Sequence, residues 1–275
     1  MLKTVLLLIV SELLGFSLTI NKVDVHKDVY THIVSPNEAI SIHASTCEGL
    51  AYDGTFYTLK PTTNKTIQCD GRNIQLILKD ARSYKSKIHH YKIGTYPKPM
   101  RGLKSYQAPR DFLTLKNAKD NIKLSKHFYA RDFLCKQVSK YPKYVLVQSS
   151  LINLLEKMIE EADSRNVTIK KFVIMSGYRT PAYNRAIGSS KYSRHMYGDA
   201  ADIYVDDNHD GFMDDLNGDG KTSNKDTKWL ADLANDVQRK YNIKGGVGIY
   251  NRTSRHPRFI HVDARGYYAR WGTVK

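Results

Sequence analysis

The chain has 275 residues, of which 41% are hydrophobic and 25% are charged, so it is long enough to bury a core and too apolar for global disorder. Its formal net charge is +16, from 43 Lys and Arg against 27 Asp and Glu. A surplus of this size attracts polyanions such as nucleic acid, acidic lipids or anionic cell-wall polymers. The sequence has no signature of a nucleic-acid-binding fold, neither paired Cys/His fingers nor an aromatic ribonucleoprotein stretch, so no nucleic-acid partner is expected.

The N-terminus has the pattern of a secretory signal peptide. Lys3 precedes an apolar run from Val5 to Val10, and a short basic region before an apolar one is typical of export. Glu12 interrupts the apolar pattern and no clear cleavage site follows, which leaves a buried first helix or strand as the alternative. We predict a signal peptide at residues 1–20 and an exported protein. No later stretch approaches the roughly 18 apolar residues that span a bilayer, so no transmembrane segment is expected in the mature chain.

Three cysteines divide into a pair and a single residue. Cys47 and Cys69 lie in one segment, and an exported chain would be able to join them as a disulfide. Cys135 follows Phe133 and Leu134 and has the surroundings of a buried small hydrophobe. The spacings fit no cysteine zinc site.

The front part of the chain has the pattern of short strands. Residues 40–44 alternate between apolar and polar, and turn signals stand at Asp53-Gly54 and Asp70-Gly71. We therefore predict a small all-β, sandwich-like domain over residues 22–96. Residues 97–124 are rich in proline and basic residues and are predicted to be a linker.

After Ser125 the pattern changes to mixed helices and strands. Apolar side chains recur at helical spacing over residues 151–159 and again over 229–237. Short apolar runs at residues 172–175 and 259–263 have the form of buried strands. This order predicts an α+β catalytic domain over residues 125–275.

Two histidines and an aspartate form a candidate metal site. His195 and Asp202 are separated by six residues, several of them small, and His261 follows on a predicted strand. Two imidazoles and one carboxylate suit a catalytic zinc ion, because three protein ligands leave the fourth position open for water. A His and an Asp at this spacing are more often structural when they occur alone, so the surrounding motifs decide the interpretation.

Those motifs resemble the zinc D-Ala-D-Ala carboxypeptidases and related murein endopeptidases, whose metal fold is shared with hedgehog domains. The resemblance covers residues 124–272. It is carried by the motif Ser193-x-His195-x-x-Gly198-x-Ala200-x-Asp202, by His261-x-Asp263, by Ser176-Gly177-Tyr178-Arg179-Thr180-Pro181, by the segment 125–135 and by Gly266-Tyr267-Tyr268-Ala269-Arg270-Trp271. It implies a hedgehog-type D,D-peptidase fold for the catalytic domain.

The resemblance also implies the roles of individual residues. It implies Zn²⁺ on His195, Asp202 and His261, and Arg179 as the cation that holds the substrate carbonyl or its developing oxyanion. The implied partners are peptidoglycan peptides, with anionic cell-wall polymers as further possible partners. The implied location is the periplasm or the cell exterior, associated with the cell wall.

The general base is not fixed by the sequence. Many relatives have a Glu two or three residues before the last zinc ligand, where this chain has Phe259 and Arg258. Asp263 projects from the same face of the predicted strand as His261, so it either takes a proton from water or orients the imidazole. His256, in the preceding loop, is the other candidate. We favour Asp263.

An acidic insertion at residues 206–226 interrupts the predicted peptidase domain. It contains a twelve-residue calcium-loop template with Asp at position 12, as in the dockerin-type loops that it resembles. The predicted Ca²⁺ ligands are Asp215, Asn217, Asp219, Lys221 through its backbone carbonyl, Ser223 and Asp226. Asp206, Asn208, Asp210 and Gly211 repeat the opening of the template. The alternative is a solvated acidic loop.

These features together favour a zinc metallopeptidase that hydrolyses D-amino-acid-containing bonds of peptidoglycan stem peptides or cross-links. The class, D,D-carboxypeptidase or endopeptidase, is left open. The alternative is a non-catalytic, zinc-stabilised protein that binds cell wall or polyanions, since Phe259 and Arg258 break the family's base pattern.

Overall fold

A computed structural model describes residues 18–20, 23–25, 29–81 and 84–272. The chain divides into two compact units, one ending at Lys79 and one beginning at Asp80. Residues 1–17 of the predicted signal peptide lie outside the described residues. Its expected end at residue 20 lies within a strand, because Thr19–Ile20 pairs with Ile40–His43.

The regular elements described before Asp80 are strands. They are β1 (Thr19–Ile20), β2 (Val23–Asp24), β3 (Val29–Val34), β4 (Ile40–His43), β5 (Ala51–Tyr52), β6 (Tyr57–Leu59), β7 (Lys65–Cys69) and β8 (Arg72–Leu78). They form one sheet of order β2-β1-β4-β6-β5 and another of order β3-β8-β7. The predicted alternation at residues 40–44 is seen in β4, whose isoleucines are buried while Ser41 is exposed. Ile20, Ile40, Ile74 and Leu76 lie in the core of this unit.

Cys47 and Cys69 form a disulfide across this unit, as their position in one segment allows. Both sulfur-bearing residues are buried, and the bond closes a segment with a sequence separation of 22. Cys135 is a buried free cysteine.

We expect a Cys47→Ser/Cys69→Ser double variant to lower the free energy of unfolding of the first unit by about 3 kcal/mol, since the cross-link restricts the unfolded chain. Denaturant unfolding of the full chain, followed by a probe in the first unit, measures the loss. Reductant should destabilise the wild type by a similar amount and leave the double variant unchanged. A wild type that is insensitive to complete reduction would contradict the prediction.

The second unit combines strands with three helices in its described part. Its strands are β9 (Asp80–Ala81), β10 (Lys87–Ile88), β11 (Tyr91–Lys92), β12 (Asp111–Leu115), β13 (Lys143–Val145), β14 (Phe172–Ser176), β15 (Ala200–Val205), β16 (Gly246–Tyr250), β17 (Phe259–Asp263) and β18 (Ala269–Trp271). Its helices are α1 (Ser149–Ser164), α2 (Pro181–Ala186) and α3 (Asn224–Lys240), with single 3₁₀ turns at Met100–Gly102, Lys104–Tyr106, Ala130–Phe133 and Arg194–Tyr197. This mixture is compatible with an α+β peptidase domain.

The central sheet has the order β14-β15-β17-β16-β18. Neighbouring strands are antiparallel except for β16 and β18, which are parallel. Helices α1 and α3 pack against each other, and α3 also contacts β16 and β17. The apolar faces predicted at residues 151–159 and 229–237 are the buried faces of α1 and α3.

The boundary between the units differs from the predicted one at residues 96–97. Residues 80–96 lie in the second unit, where Tyr91 and Ile93 are fully buried and the carbonyl of Ile93 accepts a hydrogen bond from Ala182 N. The segment 97–124 is not a simple linker, because it contains β12, which pairs with β13. Proline and basic residues suggested a linker, whereas the apolar residues at 112, 113 and 115 are buried.

Candidate metal centre

Three predicted ligands converge on the central sheet. Asp202 on β15 lies directly opposite His261 on β17, and His195 comes from the 3₁₀ turn before β15. One ligand atom from each lies within 4.8 Å of the others, and all three residues are buried. Among the described residues, no other His, Cys, Asp and Glu side chains form such a group.

Gly198 allows the chain to turn back between His195 and Asp202. It ends the 3₁₀ turn with φ of 73°, a left-handed conformation that favours glycine. A Cβ atom at this position would lie 2.6 Å from the carbonyl oxygen of Leu146, so a larger residue would have to push the backbone apart. Gly198, one of the small residues noted between the two ligands, is therefore required sterically.

The ring nitrogens of both histidines are oriented by their partners. His195 Nδ1 lies 2.7 Å from the carbonyl oxygen of Gly177, which leaves Nε2 facing Asp202 Oδ1 at 3.1 Å. His261 has the reverse arrangement, with Nδ1 2.9 Å from Asp202 Oδ1 and Nε2 3.0 Å from Asp263 Oδ2. A backbone carbonyl and a carboxylate on the outer nitrogens are the partners that fix metal-binding imidazoles.

The electrostatics of the group fit a divalent cation. Burial would raise the pKa of Asp202, but attraction and hydrogen bonds from His195 and His261 hold it well below its ordinary value. Burial would lower the pKa of His261, but hydrogen bonds to Asp202 and Asp263 raise it to about 9 when no metal is bound. Zinc binding requires a neutral imidazole and must therefore displace this proton. Two nitrogens and one carboxylate oxygen in a buried site are a donor set suited to zinc.

Arg179 lies beside the ligand Asp202. Its guanidinium donates to Ser176 Oγ at 2.8 Å, to Ser189 Oγ at 3.3 Å and to Asp202 Oδ2 at 2.5 Å. Its backbone N–H donates to the carbonyl of His195. The arginine is thus anchored next to the candidate metal ligands, with its side chain about 14% exposed.

Asp263 lies behind His261 and is fully buried. Besides the contact with His261 Nε2, its Oδ1 accepts from Gly246 N at 2.9 Å and from Arg265 Nε at 2.8 Å, and its Oδ2 accepts from Arg265 Nη2 at 2.5 Å. Burial would raise its pKa, but hydrogen bonds from His261 and Arg265 hold it well below the ordinary value. Of the two roles considered for Asp263, this geometry favours orientation of the imidazole over acceptance of a proton.

The other residues near the expected base position make different contacts. His256 Nδ1 lies 2.9 Å from the carbonyl of Pro257, and its ring packs edge-on against Phe259. Phe259 is stacked on Tyr250 at a centroid distance of 4.5 Å, and Arg258 donates to Asn224 Oδ1. Among the contacts of the described residues, none joins His256 to the three ligands, and its assignment as a base stays a prediction.

Sequence reasoning missed several residues that support the site. Arg265 and Gly246 hold Asp263, and a Cβ on Gly246 would lie 2.4 Å from Asp263 Oδ2. The ring of Trp271 lies 5.1 Å from that of His261. The spacing Asp263-x-Arg265 was a usable signal, since an Asp side chain often accepts from the backbone two residues ahead, as Asp263 does from Arg265 N. The contact with Gly246 instead depends on strand pairing.

A buried ion pair within the zinc motif was also missed. Arg194 and Asp199 form two hydrogen bonds and are nearly inaccessible to solvent. The guanidinium of Arg194 lies over the rings of Tyr106 and Tyr197, at 4.4 and 4.8 Å from their centroids, and it donates to the carbonyl of Ser105. These contacts fix the turn that carries His195.

The carboxylates of the acidic insertion accept hydrogen bonds from its own backbone N–H groups. Asp215 accepts from the backbone N–H groups of Gly218 and Gly220, and the fully buried Asp226 accepts from Leu216 and Ser223. The remaining predicted ligands are Asn217, Asp219, Lys221 and Ser223. Asn217 and Asp219 accept from backbone N–H groups two residues ahead. Ser223 caps the N-terminus of α3. Hydrogen bonds of this kind also form without an ion, so calcium binding stays a prediction.

Within the described residues, no helix combines the length and the apolar character needed to cross a bilayer. Comparisons with curated proteins and with solved structures found no significant match. A family model does match part of the second unit, from residue 126 to residue 216. The match includes Arg179, His195 and Asp202, whereas His261 lies beyond it. The model that matches is that of the Peptidase M15 family, and the match supports a zinc metallopeptidase.

Proposed function

We propose that this protein is an exported zinc peptidase that hydrolyses D-amino-acid-containing bonds of peptidoglycan stem peptides or cross-links. The observation that carries the proposal is the buried convergence of His195, Asp202 and His261 in a segment whose first part matches Peptidase M15. The hedgehog-type arrangement of the catalytic domain is part of the same proposal. The position of Asp202 and His261 on neighbouring antiparallel strands, with His195 in the turn before the first of them, supports this arrangement.

Each residue of the site then has a defined task. A zinc ion would supply Lewis acidity toward water and toward the scissile carbonyl. The carbonyl of Gly177 holds the proton of His195 on Nδ1 and leaves Nε2 free to act as a ligand. Arg179, anchored by Ser176 and Ser189 beside Asp202, would supply a fixed positive charge to the developing oxyanion. Such pre-oriented charge stabilises the transition state more than the ground state.

The test is a digest of defined muropeptides with the purified full chain, read by mass spectrometry. Loss of a terminal D-Ala identifies a carboxypeptidase, and cleavage of a cross-linked dimer identifies an endopeptidase. Both activities should disappear with a zinc chelator and return with added zinc. A zinc-loaded protein that cuts neither substrate but binds cell wall would favour the non-catalytic alternative.

We also propose that the loop of residues 215–226 binds calcium and stabilises the peptidase domain without a part in the chemistry. A ligand that binds only the folded state at 100 times its Kd adds about 2.7 kcal/mol to the free energy of unfolding. The melting temperature should therefore rise with added calcium in the wild type and stay flat in Asp215→Ala/Asp219→Ala. Zinc content should be equal in both proteins. An unchanged melting temperature after chelation and dialysis would leave only a solvated acidic loop.

A further inference from the structure

Two segments of the second unit carry many cations and no acidic residue. Residues 84–110 contain seven Lys and Arg, residues 133–155 contain three Lys, and neither stretch contains Asp or Glu. The first stretch includes the hairpin of β10 and β11, and the second includes the loop before β13. We define the basic patch by six lysines that lie in the hairpin and the loop or directly beside them: Lys85, Lys87, Lys92, Lys136, Lys140 and Lys143.

Side-chain contacts bring the hairpin and the loop together. His90 Nε2 lies 2.9 Å from the carbonyl of Lys140. His89 Nδ1 lies 2.8 Å from the hydroxyl of Tyr144, and the two rings are stacked. The buried ring of Tyr91 meets the edge of Tyr144 at 5.6 Å. The hairpin and the loop therefore form a single surface, which lies over the packed rings of His89, Tyr91 and Tyr144.

Ion pairs of the described residues leave the charge of the basic patch unneutralised. Five of its lysines are exposed and Lys143 is half-buried. Among the described residues, none of the six forms an ion pair. Elsewhere the second unit does pair its cations, for example Lys157 with Glu160 and Lys240 with Glu161. Unpaired like charges on one surface repel each other, and an external polyanion relieves that repulsion.

We propose that the basic patch is a binding surface for the anionic peptidoglycan meshwork, which it holds through the carboxylates of stem peptides other than the one being cut. This inference rests on the proposed peptidase function. Lysine ammonium groups are compact charges on flexible stems, and they tolerate carboxylates at uneven spacing. Several such weak contacts raise the local concentration of cleavable peptide at the metal site.

The composition of the basic patch argues against two other partners. Proteins that bind single-stranded nucleic acid combine cations with exposed aromatic side chains for stacking. At the patch, Tyr91 and Tyr144 are buried, and the half-buried Tyr141 has Lys143 over its ring. Binding to a lipid surface would favour several exposed apolar residues. In the described loop, the exposed large apolar side chain is that of Val138 alone.

The experiment uses the full chain and a charge-matched control. The patch variant is Lys87→Gln/Lys92→Gln/Lys140→Gln. The control is Lys116→Gln/Lys119→Gln/Lys123→Gln, which removes three exposed lysines outside the patch and changes the net charge equally. Binding to purified sacculi is measured by co-sedimentation at several salt concentrations, beside a DNA oligonucleotide and vesicles of anionic phospholipid. Hydrolysis of sacculi and of a soluble muropeptide is measured in parallel.

We expect the patch variant to bind sacculi about tenfold more weakly, equivalent to about 1.4 kcal/mol, and to hydrolyse them correspondingly more slowly. Its kcat/KM on the soluble muropeptide should equal that of the wild type, and the control should keep sacculus binding. Equal losses in both variants would overturn the proposal in favour of a general net-charge effect. Patch-dependent binding to DNA or vesicles, with unchanged binding to sacculi, would overturn it in favour of those partners.

The two proposals can fail separately. If the soluble muropeptide is cut while binding to sacculi does not depend on the patch, the binding surface is wrong and the peptidase assignment holds. If neither substrate is cut although sacculus binding depends on the patch, the peptidase assignment is wrong and the binding surface is retained.

Discussion

His261→Ala and His195→Ala should each abolish peptide hydrolysis. Each replacement removes one of three candidate ligands, and an ion held by the remaining two groups loses both affinity and Lewis acidity. Three protein ligands are typical of one catalytic zinc ion, so the wild type should keep about one ion per chain after dialysis. In either variant this zinc content should fall toward zero. Metal analysis and the muropeptide digest measure the two losses on the same preparations.

A matched control separates loss of the metal from loss of a histidine in general. His209 is exposed on the acidic insertion, in a left-handed backbone conformation that asparagine also adopts, so His209→Asn should keep zinc and activity. Circular dichroism establishes whether the ligand variants remain folded. A well-folded and fully active His261→Ala would remove the zinc peptidase assignment altogether.

The sequence predicted local features better than contacts between distant segments. The helical spacing at residues 151–159 and the apolar run at 172–175 correspond to α1 and β14, because periodicity reflects which faces are buried. The segment 97–124 was misjudged, since its prolines and basic residues outweighed the short apolar stretch that forms β12. Strand propensity over five residues is a weak signal when the partner strand is unknown.

The metal site could be assembled from the sequence only through the family resemblance. Asp202 and His261 are 59 residues apart, and the pairing of β15 with β17 across the acidic insertion does not follow from periodicity. The support for Asp263 by Gly246 depends on the register of β16 and β17. A one-residue shift in that register would bring a different residue beside Asp263, so sequence alone could not place this contact.

Asp263→Asn should lower kcat/KM about 10- to 100-fold and weaken zinc retention, as expected when a carboxylate that orients a metal-binding imidazole is lost. In the structure, the ring of His261 lies between Asp263 and the ligand Asp202, because its Nε2 faces Asp263 and its Nδ1 faces Asp202. Asparagine fills the same space but replaces one accepting oxygen with a donor. Steady-state kinetics and zinc titration with a chromophoric competitor measure both effects.

The pH dependence distinguishes this orienting role from general-base catalysis. If Asp263 orients His261, the acidic limb of the kcat/KM profile should persist in Asp263→Asn, and Arg265→Gln should cause a smaller loss of the same kind by releasing Asp263. If Asp263 were the base, turnover should fall about 100- to 10,000-fold with zinc fully retained and the acidic limb abolished. If His256→Ala instead lost turnover with zinc retained and the acidic limb abolished, His256 would be the base. Its ring would then have to break its contact with the carbonyl of Pro257 to reach the substrate.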